Sequence, residues 1–573
     1  MRWNRRVKNM TIRLIALLTL FALVTGTTQA ASRLPARSDG GMVVSVSEIS
    51  SGVGVEIMNA GGNAIDAAVA VAFSLAVTWP SAGNLGGGGF MVIYLADEQR
   101  ATAIDYREMA PRQAHRDMYL DQDGNVIEGS PTDGHLSVAV PGTVAGLVYA
   151  LEKYGQLPLK TVIAPAISLA QDGFPVSDYL EASLERAEER LGSHPESSRL
   201  FLRDGKGYLA GDLFVQPDLA ATLTRIAQSG NDGFYAGKTA DLIVAEMHRG
   251  GGLIDQEDLK GYTPRERVPV QGSYRGHRVI SMPPPSSGGT ILIEMLNMME
   301  PLNVPELSLL SSDQVHNVAE VMKRAFADRA EFMGDPDFVD VPVAGLTSKP
   351  YAAERRSTIS QAHTTAAGDL GAGDPWGYES EETTHFSVID SEGNAVSNTY
   401  TLNYSYGSGV TVTGAGFLLN NIMDNFAAKQ GVPNGYGLIQ GEANSIAAGK
   451  RPLSSMTPSI VLEGDDVRLV VGTPGGPTII NTVFQIIMNV LDHGLDPQQA
   501  VDLPRFHHQW LPDTIFHEER GLAKDVVQAL EEKGHALETR TSIGDAQAIY
   551  IDPETGRRYG GADPRRGGKA VGQ

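Results

Sequence analysis

Apolar and polar positions follow patterns that predict where helices and strands lie in this chain. Residues 61–78 are apolar on nearly every side and begin with Gly-Gly-Asn, which predicts a helix buried inside a large protein. A run of glycines then precedes the alternating residues 90–95, which predicts a turn that leads into a strand. Phosphate binding by these glycines is a weaker interpretation, because no Gly-Lys-Ser/Thr follows them.

Similar patterns continue through the rest of the chain. Apolar spacing predicts that residues 141–260 are mostly helical, and a rigid proline turn at 281–289 leads into another apolar helix. Alternating positions predict a hairpin over 385–402 and a second strand pair within 460–473, followed by a helix at 482–494. Strand pairs bracketed by buried helices predict sheets sandwiched between helix layers.

The tract 353–382 differs from its surroundings because it is polar and rich in small residues. Its composition predicts an exposed, mobile linker that ends just before the hairpin.

The first 30 residues have the pattern of a signal peptide. Basic residues without an acid precede the apolar run Leu14–Val24, and small and polar residues follow it up to Ala30. That run is well short of the ~20 residues that span a bilayer, so a membrane anchor is the weaker interpretation. We expect a mature chain from about Ala31, in the periplasm or outside the cell, with Sec or twin-arginine export left open by Arg5-Arg6.

Composition narrows the chemistry. Lys and Arg total 46 against 68 Asp and Glu, a net charge of −22, so nucleic acid and anionic membrane surfaces are not expected partners. The chain has no cysteine, which excludes disulfides, thiolate metal sites and a cysteine nucleophile. Any nucleophile is therefore an oxygen or a nitrogen.

Common hydrolase and metal signatures are missing. We find neither Gly-x-Ser-x-Gly nor His-Glu-x-x-His. His507 and His508 are neighbours on one predicted strand and face opposite ways, which favours a structural use over a metal site. Residues 121–125 resemble the start of a calcium loop but lack the Glu at its twelfth position, so a turn is predicted there.

Thr383 remains as a candidate nucleophile because it begins a strand directly after the polar tract. If the Glu382–Thr383 bond is cleaved, Thr383 gains an α-amine with a pKa of ~7.7–8.0, a base beside its own hydroxyl. From the local sequence alone, an ordinary β-branched strand residue is the simpler interpretation.

Motifs spread over almost the whole mature chain settle the choice, because together they resemble the γ-glutamyltransferases, members of the N-terminal nucleophile hydrolases. In chain order these motifs are GGNAIDAAVAVAFSLAVT, NLGGGGFM, DYREMAP, VPGTVAG, SMPPPSSGG, TTHFSV, TYTLN, LLNN, KRPLSSMTPS, GTPGG, PRFHHQW and GADPR. The resemblance implies a four-layer αββα sandwich made from one precursor. It also implies self-cleavage into a large subunit, residues 31–382, and a small subunit, residues 383–573, which stay associated as a heterodimer.

The resemblance also implies roles for individual residues. Thr383 of TTHFSV is the implied nucleophile of self-cleavage and catalysis, and Thr401 of TYTLN orients it. Gly475 and Gly476 of GTPGG would form the oxyanion hole with their backbone N–H groups.

For the donor substrate, the resemblance implies that Arg107, Ser454 and Ser455 hold its α-carboxylate and that Asn403 faces its α-amino group. Taken singly, the two serines fit a turn or a helix cap and Arg107 fits a surface ion pair. The stretch around Tyr436 resembles the lid loop of some members, although a structural turn is the alternative.

The implied reaction is transfer of a γ-glutamyl group. Thr383 attacks the γ-amide of a donor such as glutathione, and the acyl group passes to water, an amino acid or a peptide. No metal or organic cofactor is implied.

Two positions depart from the family pattern. After LLNN the usual residues are Gln or Glu, then Met-Asp-Asp-Phe, and the first and last polar residues of that set contact the donor ammonium. This chain has Ile422 and Asn425 there. Losing one charged hydrogen bond costs about 1.5–3 kcal/mol, so γ-glutamyl donors are expected to bind less tightly.

These departures leave three other interpretations open. One is a glutaryl (cephalosporin-type) acylase of the same fold, whose acyl group keeps the carboxylate and lacks the amine. Another is a different N-terminal nucleophile amidase that acts on cephalosporin-like or peptide side chains. The third is a non-catalytic scaffold.

Overall fold

The computed structural model describes residues 32–376 and 387–573. The predicted signal peptide, the predicted cleavage site with Glu382 and Thr383, and the first two residues of the predicted hairpin lie outside the described residues.

Most strands belong to two large antiparallel sheets. In chain order the strands are β1 (Ala36–Ser38), β2 (Met42–Ser45), β3 (Gly88–Leu95), β4 (Arg100–Tyr106), β5 (Phe174–Pro175), β6 (Leu202–Arg203), β7 (Lys206–Gly207), β8 (Leu213–Phe214), β9 (Arg265–Arg267), β10 (Val270–Tyr274), β11 (His277–Ser281), β12 (Ser387–Ile389), β13 (Ala395–Thr401), β14 (Ser459–Glu463), β15 (Asp466–Gly472), β16 (Phe506–His507), β17 (Ile515–Glu518), β18 (Leu537–Arg540), β19 (Gln547–Ile551), β20 (Arg558–Ala562) and β21 (Lys569–Gly572).

The first sheet has the order β21-β2-β12-β13-β3-β4-β9, and the second has the order β1-β20-β19-β15-β14-β11-β10. Both sheets therefore combine strands from before and after residue 383, the predicted cleavage position. Three short sheets, β16-β17-β18, β5-β8 and β6-β7, lie outside this pair.

The α-helices are α1 (Glu48–Asn59), α2 (Ala64–Thr78), α3 (Thr143–Tyr154), α4 (Leu159–Asp172), α5 (Asp178–Gly192), α6 (Pro195–Phe201), α7 (Pro217–Ser229), α8 (Asp232–Tyr235), α9 (Gly237–Gly250), α10 (Gln256–Gly261), α11 (Gly288–Met299), α12 (Ser312–Phe332), α13 (Val343–Thr347), α14 (Lys349–Ser357), α15 (Thr478–Leu491), α16 (Pro497–Asp502) and α17 (Lys524–Glu532). Short 3₁₀ turns lie between them, including Ile422–Asn425.

The packing of the apolar faces of sheets and helices defines the layers of the fold. Side chains of the two sheets meet between them, for example Val92 from β3 and Val470 from β15. The outer face of the first sheet packs on α1 and α2, and that of the second packs on α11, α12 and α15. The αββα sandwich expected from the resemblance is therefore confirmed.

Helix α2 shows why the sequence pattern was reliable. All of its residues are buried, as predicted for 61–78, and Asn63 caps it in a capping box with Asp66. The Asp66 carboxylate also accepts the backbone N–H groups of Gln156 and Leu157, so the acid inside this apolar helix is satisfied.

The hairpin β12-β13 contains the first strands described after residue 383 and lies in the centre of the first sheet. Val388 pairs with Val396, and Thr401 pairs with Gly88 of β3. At the end of this pairing the Thr401 carbonyl lies 2.0 Å from where a Cβ on Gly87 would be. A glycine is therefore required for the end of β13 to approach this closely.

The linker prediction for 353–382 needs correction within the described residues. Residues 353–357 are the last turns of α14. Beyond them, Lys323 of α12 donates to Thr364 Oγ1 at 2.8 Å, and Arg355 donates to the Gly371 carbonyl at 3.1 Å. Helix α12 buries charged side chains that need polar partners, and the polar tract supplies them.

Candidate active site

One cavity of about 320 Å³ brings the predicted site residues together. All eight that lie in the described part of the chain line it. They are Arg107, Thr401, Asn403, Asn425, Ser454, Ser455, Gly475 and Gly476. Thr383 lies outside the described residues.

Arg107 follows β4 and is completely buried, which contradicts the surface ion pair that the residue taken singly would suggest. Its Nη2 donates to Asn425 Oδ1 at 2.7 Å, its Nε donates to the Pro452 carbonyl at 3.1 Å, and its Nη1 lies 3.3 Å from Glu108 Oε2. Burial lowers the pKa of Arg107 and raises that of Glu108 to about 7. Glu108 therefore carries the negative charge that balances Arg107 only when the pH is above about 7.

A second buried arginine contacts Ser455 directly and Ser454 through Ser287. Arg329 of α12 donates through Nη2 to Ser455 Oγ at 3.0 Å and through Nε to Ser287 Oγ at 2.9 Å. Ser287 in turn donates to the Ser454 carbonyl at 2.7 Å. A guanidinium only donates hydrogen bonds, so Ser455 Oγ is the acceptor in this contact and its own hydroxyl hydrogen is not used. That hydrogen can point into the cavity.

Thr401, Asn403 and Asn425 form a bonded row along one wall. The Asn403 N–H donates to Thr401 Oγ1 at 2.9 Å, and Asn425 Nδ2 donates to Asn403 Oδ1 at 2.7 Å. Asn403 has a φ of +82°, a conformation that asparagine tolerates better than most residues. The row continues through Asn425 to Arg107.

Gly475 and Gly476 have φ values of +145° and +59°, in the region that favours glycine. Helix α15 begins two residues later, so its positive end faces this turn. The N–H groups of Gly475 and Gly476 donate to no other residue in the described ranges. Two free N–H groups beside a helix N-terminus are suited to an oxyanion.

Tyr436 connects the glycine turn to the row of asparagines. A Cβ on Gly476 would lie 2.8 Å from the Tyr436 ring, and the Tyr436 hydroxyl donates to the Asn403 carbonyl at 2.9 Å. Tyr436 therefore covers Gly476, while neighbouring Asn434 and Leu438 also line the cavity.

We call the buried residues Arg107, Arg329, Ser454 and Ser455 the closed end of the cavity. The half-buried residues Gly475, Gly476, Tyr436 and Arg566 are called the open end.

The described lining includes three arginines and no aspartate or glutamate. Arg329 has no carboxylate partner within the described ranges, and burial alone lowers its pKa to about 10. Its Nη1 is buried without a hydrogen-bond partner there. A cavity of this charge favours an anionic ligand.

Sequence reasoning missed Arg329 and Arg566, and it misplaced Ile422. Arg329 lies on a long helix whose pattern gives no sign of a cavity, whereas Arg566 follows the GADPR motif by one residue and could have been examined with it. Ile422 is completely buried in a separate apolar cluster with Tyr119 and Phe426 and does not line the cavity. The expectation that position 422 faces the donor ammonium is therefore wrong.

The two histidines and the 121–125 turn, for which a structural role was predicted, make contacts that fit such a role. His507 bonds to Asn481 at 2.7 Å, while His508 lies 3.2 Å from Asp513. Asp121 accepts the backbone N–H of Asn125, as expected for a turn. Across residues 32–376 and 387–573, no group of three His, Cys, Asp or Glu side chains could hold a metal ion.

A family model described as Gamma-glutamyltranspeptidase matches residues 50–573. The chain belongs to this family. The family predicted from the motifs, and with it the class of self-processing acyl-transfer enzymes, is therefore confirmed.

Individual relatives agree with this membership. The chain is 47% identical over 532 residues to the glutathione hydrolase proenzyme of Escherichia coli (strain K12), covering 93% of this chain and 91% of that protein. Among solved structures, a cephalosporin acylase from Bacillus halodurans has a TM-score of 0.83 at 28% identity, covering 96% of this chain and 98% of the other. Helicobacter pylori gamma-glutamyltranspeptidase has a TM-score of 0.57 at 44% identity, covering 60% of this chain and 97% of the other.

Proposed function

We propose that this chain is the precursor of a γ-glutamyltransferase with glutathione hydrolase activity. It cleaves itself between Glu382 and Thr383, and the two products, residues 31–382 and 383–573, remain together as a heterodimer. The observation that carries the proposal is the convergence of the eight described site residues on one cavity. The interleaving of strands from both sides of residue 383 supports a stable heterodimer.

In the first half-reaction the Thr383 hydroxyl attacks the carbonyl carbon of a γ-glutamyl amide. Its α-amine accepts the hydroxyl proton and passes it to the leaving amine, so the C–O bond forms as the C–N bond breaks. The oxyanion accepts hydrogen bonds from Gly475 and Gly476, whose N–H groups donate to no residue within 32–376 and 387–573. In the second half-reaction water or an amine takes the acyl group from Thr383.

The closed end binds the donor carboxylate. The carboxylate accepts from the Ser455 hydroxyl, which Arg329 leaves free to donate, and it replaces a backbone acceptor of Arg107 Nη2, such as the Leu453 carbonyl at 3.3 Å. Thr401 orients Thr383 through its hydroxyl hydrogen, since its lone pair already accepts from Asn403.

Self-processing is tested by electrophoresis and N-terminal analysis of the purified protein. We expect two fragments, the smaller beginning at Thr383, and a single full-length band for Thr383→Ala without activity toward γ-glutamyl-p-nitroanilide. Thr384→Ala is the matched control, because it changes the adjacent threonine and should still be processed. An unprocessed but active wild-type chain contradicts the proposal, and an unprocessed, inactive one supports the scaffold.

A second candidate function, glutaryl (cephalosporin-type) acylase activity, is favoured by Asn425. Its neutral amide accepts from Arg107 and donates to Asn403, and no carboxylate of the described residues lines this part of the cavity. A donor ammonium would therefore be bound by neutral oxygens only, whereas a glutaryl group lacks that ammonium and still presents a carboxylate to Arg107. The name of the Bacillus halodurans acylase agrees with this candidate. An amidase for peptide side chains has no such observation in its favour.

The two activities are separated by kcat/KM for γ-glutamyl and glutaryl anilides in the wild type and in Asn425→Asp. The aspartate adds a charge beside the ammonium and pairs with Arg107, so we expect it to raise the γ-glutamyl preference about tenfold or more. Asn434→Asp adds the same charge elsewhere in the lining and is the control. A large γ-glutamyl preference in the wild type that Asn425→Asp leaves unchanged eliminates the second candidate.

We also propose export through the signal peptide at residues 1–30, with the mature protein periplasmic or extracellular. The helices within 32–376 and 387–573 are all too short or too polar to cross a bilayer. Mass analysis of the secreted chain, with a start near Ala31, tests the export proposal.

A further inference from the structure

Two threonine hydroxyls hold the turn that carries Gly475 and Gly476, one at each end of the turn. Thr473 follows directly after β15, and Thr478 is the first residue of α15. Both threonines are buried, and neither lines the cavity. They are therefore placed to act on the turn from behind, without contact with a ligand.

Each hydroxyl donates to the carbonyl of one peptide group in the turn. Thr473 Oγ1 donates to the Pro474 carbonyl at 2.8 Å, and Thr478 Oγ1 donates to the Gly475 carbonyl at 2.9 Å. The Pro474 carbonyl belongs to the same peptide group as the Gly475 N–H. In the same way, the Gly475 carbonyl belongs to the same peptide group as the Gly476 N–H. The hydroxyls therefore bind the far ends of the two peptide groups that face the oxyanion.

A peptide group is a rigid plane in which the C=O and N–H bonds point in opposite directions. A hydrogen bond that fixes the direction of the carbonyl therefore fixes the direction of the N–H group as well. The same hydrogen bond polarises the peptide group, which makes its N–H a stronger donor. Each threonine hydroxyl thus improves both the aim and the strength of one oxyanion donor.

The hydroxyl of Thr473 is itself fixed by a distant part of the chain. The Asp545 N–H donates to Thr473 Oγ1 at 2.7 Å, so this hydroxyl accepts one hydrogen bond and donates another to Pro474. A Cβ on Gly544 would lie 2.9 Å from Thr473 Oγ1, so a glycine is needed for this close approach. Hydrogen bonds therefore run in one chain from Asp545 through Thr473 to the oxyanion turn.

The two hydroxyls differ in how far the turn depends on them. The Gly475 carbonyl also accepts the Thr478 N–H at 3.2 Å, so it keeps a partner when the Thr478 hydroxyl is removed. Within residues 32–376 and 387–573, the Pro474 carbonyl accepts from Thr473 alone. The loss of the Thr473 hydroxyl is therefore the more damaging of the two.

We propose that Thr473 and Thr478 are positioning residues that aim and polarise the N–H groups of Gly475 and Gly476 for the oxyanion. This inference rests on the proposed function. Acylation and deacylation both pass through an oxyanion at this turn, so the loss of either hydroxyl slows both steps. Binding of the donor carboxylate at the closed end is not affected, and the change therefore falls on kcat.

The experiment measures kcat and donor KM for γ-glutamyl-p-nitroanilide hydrolysis, per processed heterodimer, in valine and serine variants of each threonine. Valine keeps the branched shape without the hydroxyl, whereas serine keeps the hydroxyl. We expect Thr473→Val to lower kcat about tenfold and Thr478→Val about threefold, with KM nearly unchanged. Thr473→Ser and Thr478→Ser should recover most of the wild-type kcat, a rescue that a purely packing role would not give.

Thr222→Val is the matched control. The Thr222 hydroxyl is buried in α7, donates to the Ala415 carbonyl at 2.8 Å and does not line the cavity. Its removal should leave kcat unchanged in the processed enzyme.

A wild-type kcat in either valine variant, or serine variants no more active than the valine variants, overturns the inference alone. If Thr473→Val is not processed, the two Thr478 variants decide by the same criteria. Absence of nitroaniline release from the wild type overturns the proposed function and this inference together.

Discussion

The two ends of the cavity differ in how much of their hydrogen-bonding capacity the protein itself uses. At the closed end, Arg107 and Arg329 are buried and donate to backbone carbonyls, serine hydroxyls and Asn425. At the open end, the N–H groups of Gly475 and Gly476 and the guanidinium of Arg566 donate to no other described residue.

This difference separates two kinds of binding. A group that enters the closed end meets donors already fixed in direction, so its binding depends on geometry that was formed during folding. The donors of the open end are half-exposed to solvent, which weakens the hold on a ligand there compared with the buried closed end. An enzyme that holds one acyl group while one amine leaves and another enters needs both kinds of binding.

The largest effect is expected at the open end, from Gly476→Ala. The added Cβ would lie 2.8 Å from the Tyr436 ring at a φ of +59°, so the turn must move and the oxyanion loses its alignment. We expect kcat to fall about 10²–10³-fold, the typical loss for one oxyanion donor.

Gly464→Ala is its control, because Gly464 has a φ of +62° but open space around it. That variant should lose stability by a similar strain and keep kcat. A normal kcat in Gly476→Ala contradicts the assignment of the open end.

At the closed end, Arg107→Gln should lower kcat/KM for carboxylate-bearing donors about 10–100-fold, since hydrogen bonds to charged groups contribute ~1.5–3 kcal/mol. Most of this decrease should come from a higher KM. Arg324→Gln removes an equally buried arginine that pairs with Glu320 and does not line the cavity, and it should leave KM unchanged in the folded fraction. An equal rise in KM in both variants would mean that Arg107 acts through stability alone.

Arg329→Met tests whether carboxylate binding at the closed end depends on the cation that donates to Ser455. With Arg329 gone, the Ser455 hydroxyl can rotate and the Ser287 contact is lost, so we expect kcat/KM to fall about tenfold. A donor without the α-carboxylate should be affected much less. The same loss with both donors, measured at equal folded fraction, would remove Arg329 from carboxylate binding.

The smallest effect concerns Glu108, whose pKa burial raises to about 7. A raised pKa in the folded state stabilises the protein below the unfolded pKa of ~4.3, and that stability is lost as the pH rises through 7. Between pH 6 and pH 8 the free energy of unfolding should fall by about 1 kcal/mol on account of this group.

Urea titrations of the single-chain Thr383→Ala precursor, with and without Glu108→Gln, measure this difference. The Gln variant should lack that part of the pH dependence. Identical slopes in the two proteins would show that Glu108 is already ionised at pH 6.

The sequence was a good guide wherever a property depends on neighbours along the chain. Helix α2, the hairpin β12-β13 and the strand pair β14-β15 were predicted from local periodicity, because burial on one or all sides imposes that periodicity directly. Composition predicted the exposure of much of the polar tract, but it missed the helical residues 353–357 and could not show that α12 buries charges in need of partners.

By itself the sequence determined the family, the candidate nucleophile and the motif residues Arg107, Asn403, Ser454 and Gly475. Only the tertiary structure decided that Arg329 supports Ser455, that Ile422 faces away from the cavity, and that Arg566 is free. Each of these depends on side chains that meet from distant parts of the chain, such as α12 and residues 454–455. Local patterns report whether a residue is buried, but the identity of its partner comes from how the layers pack.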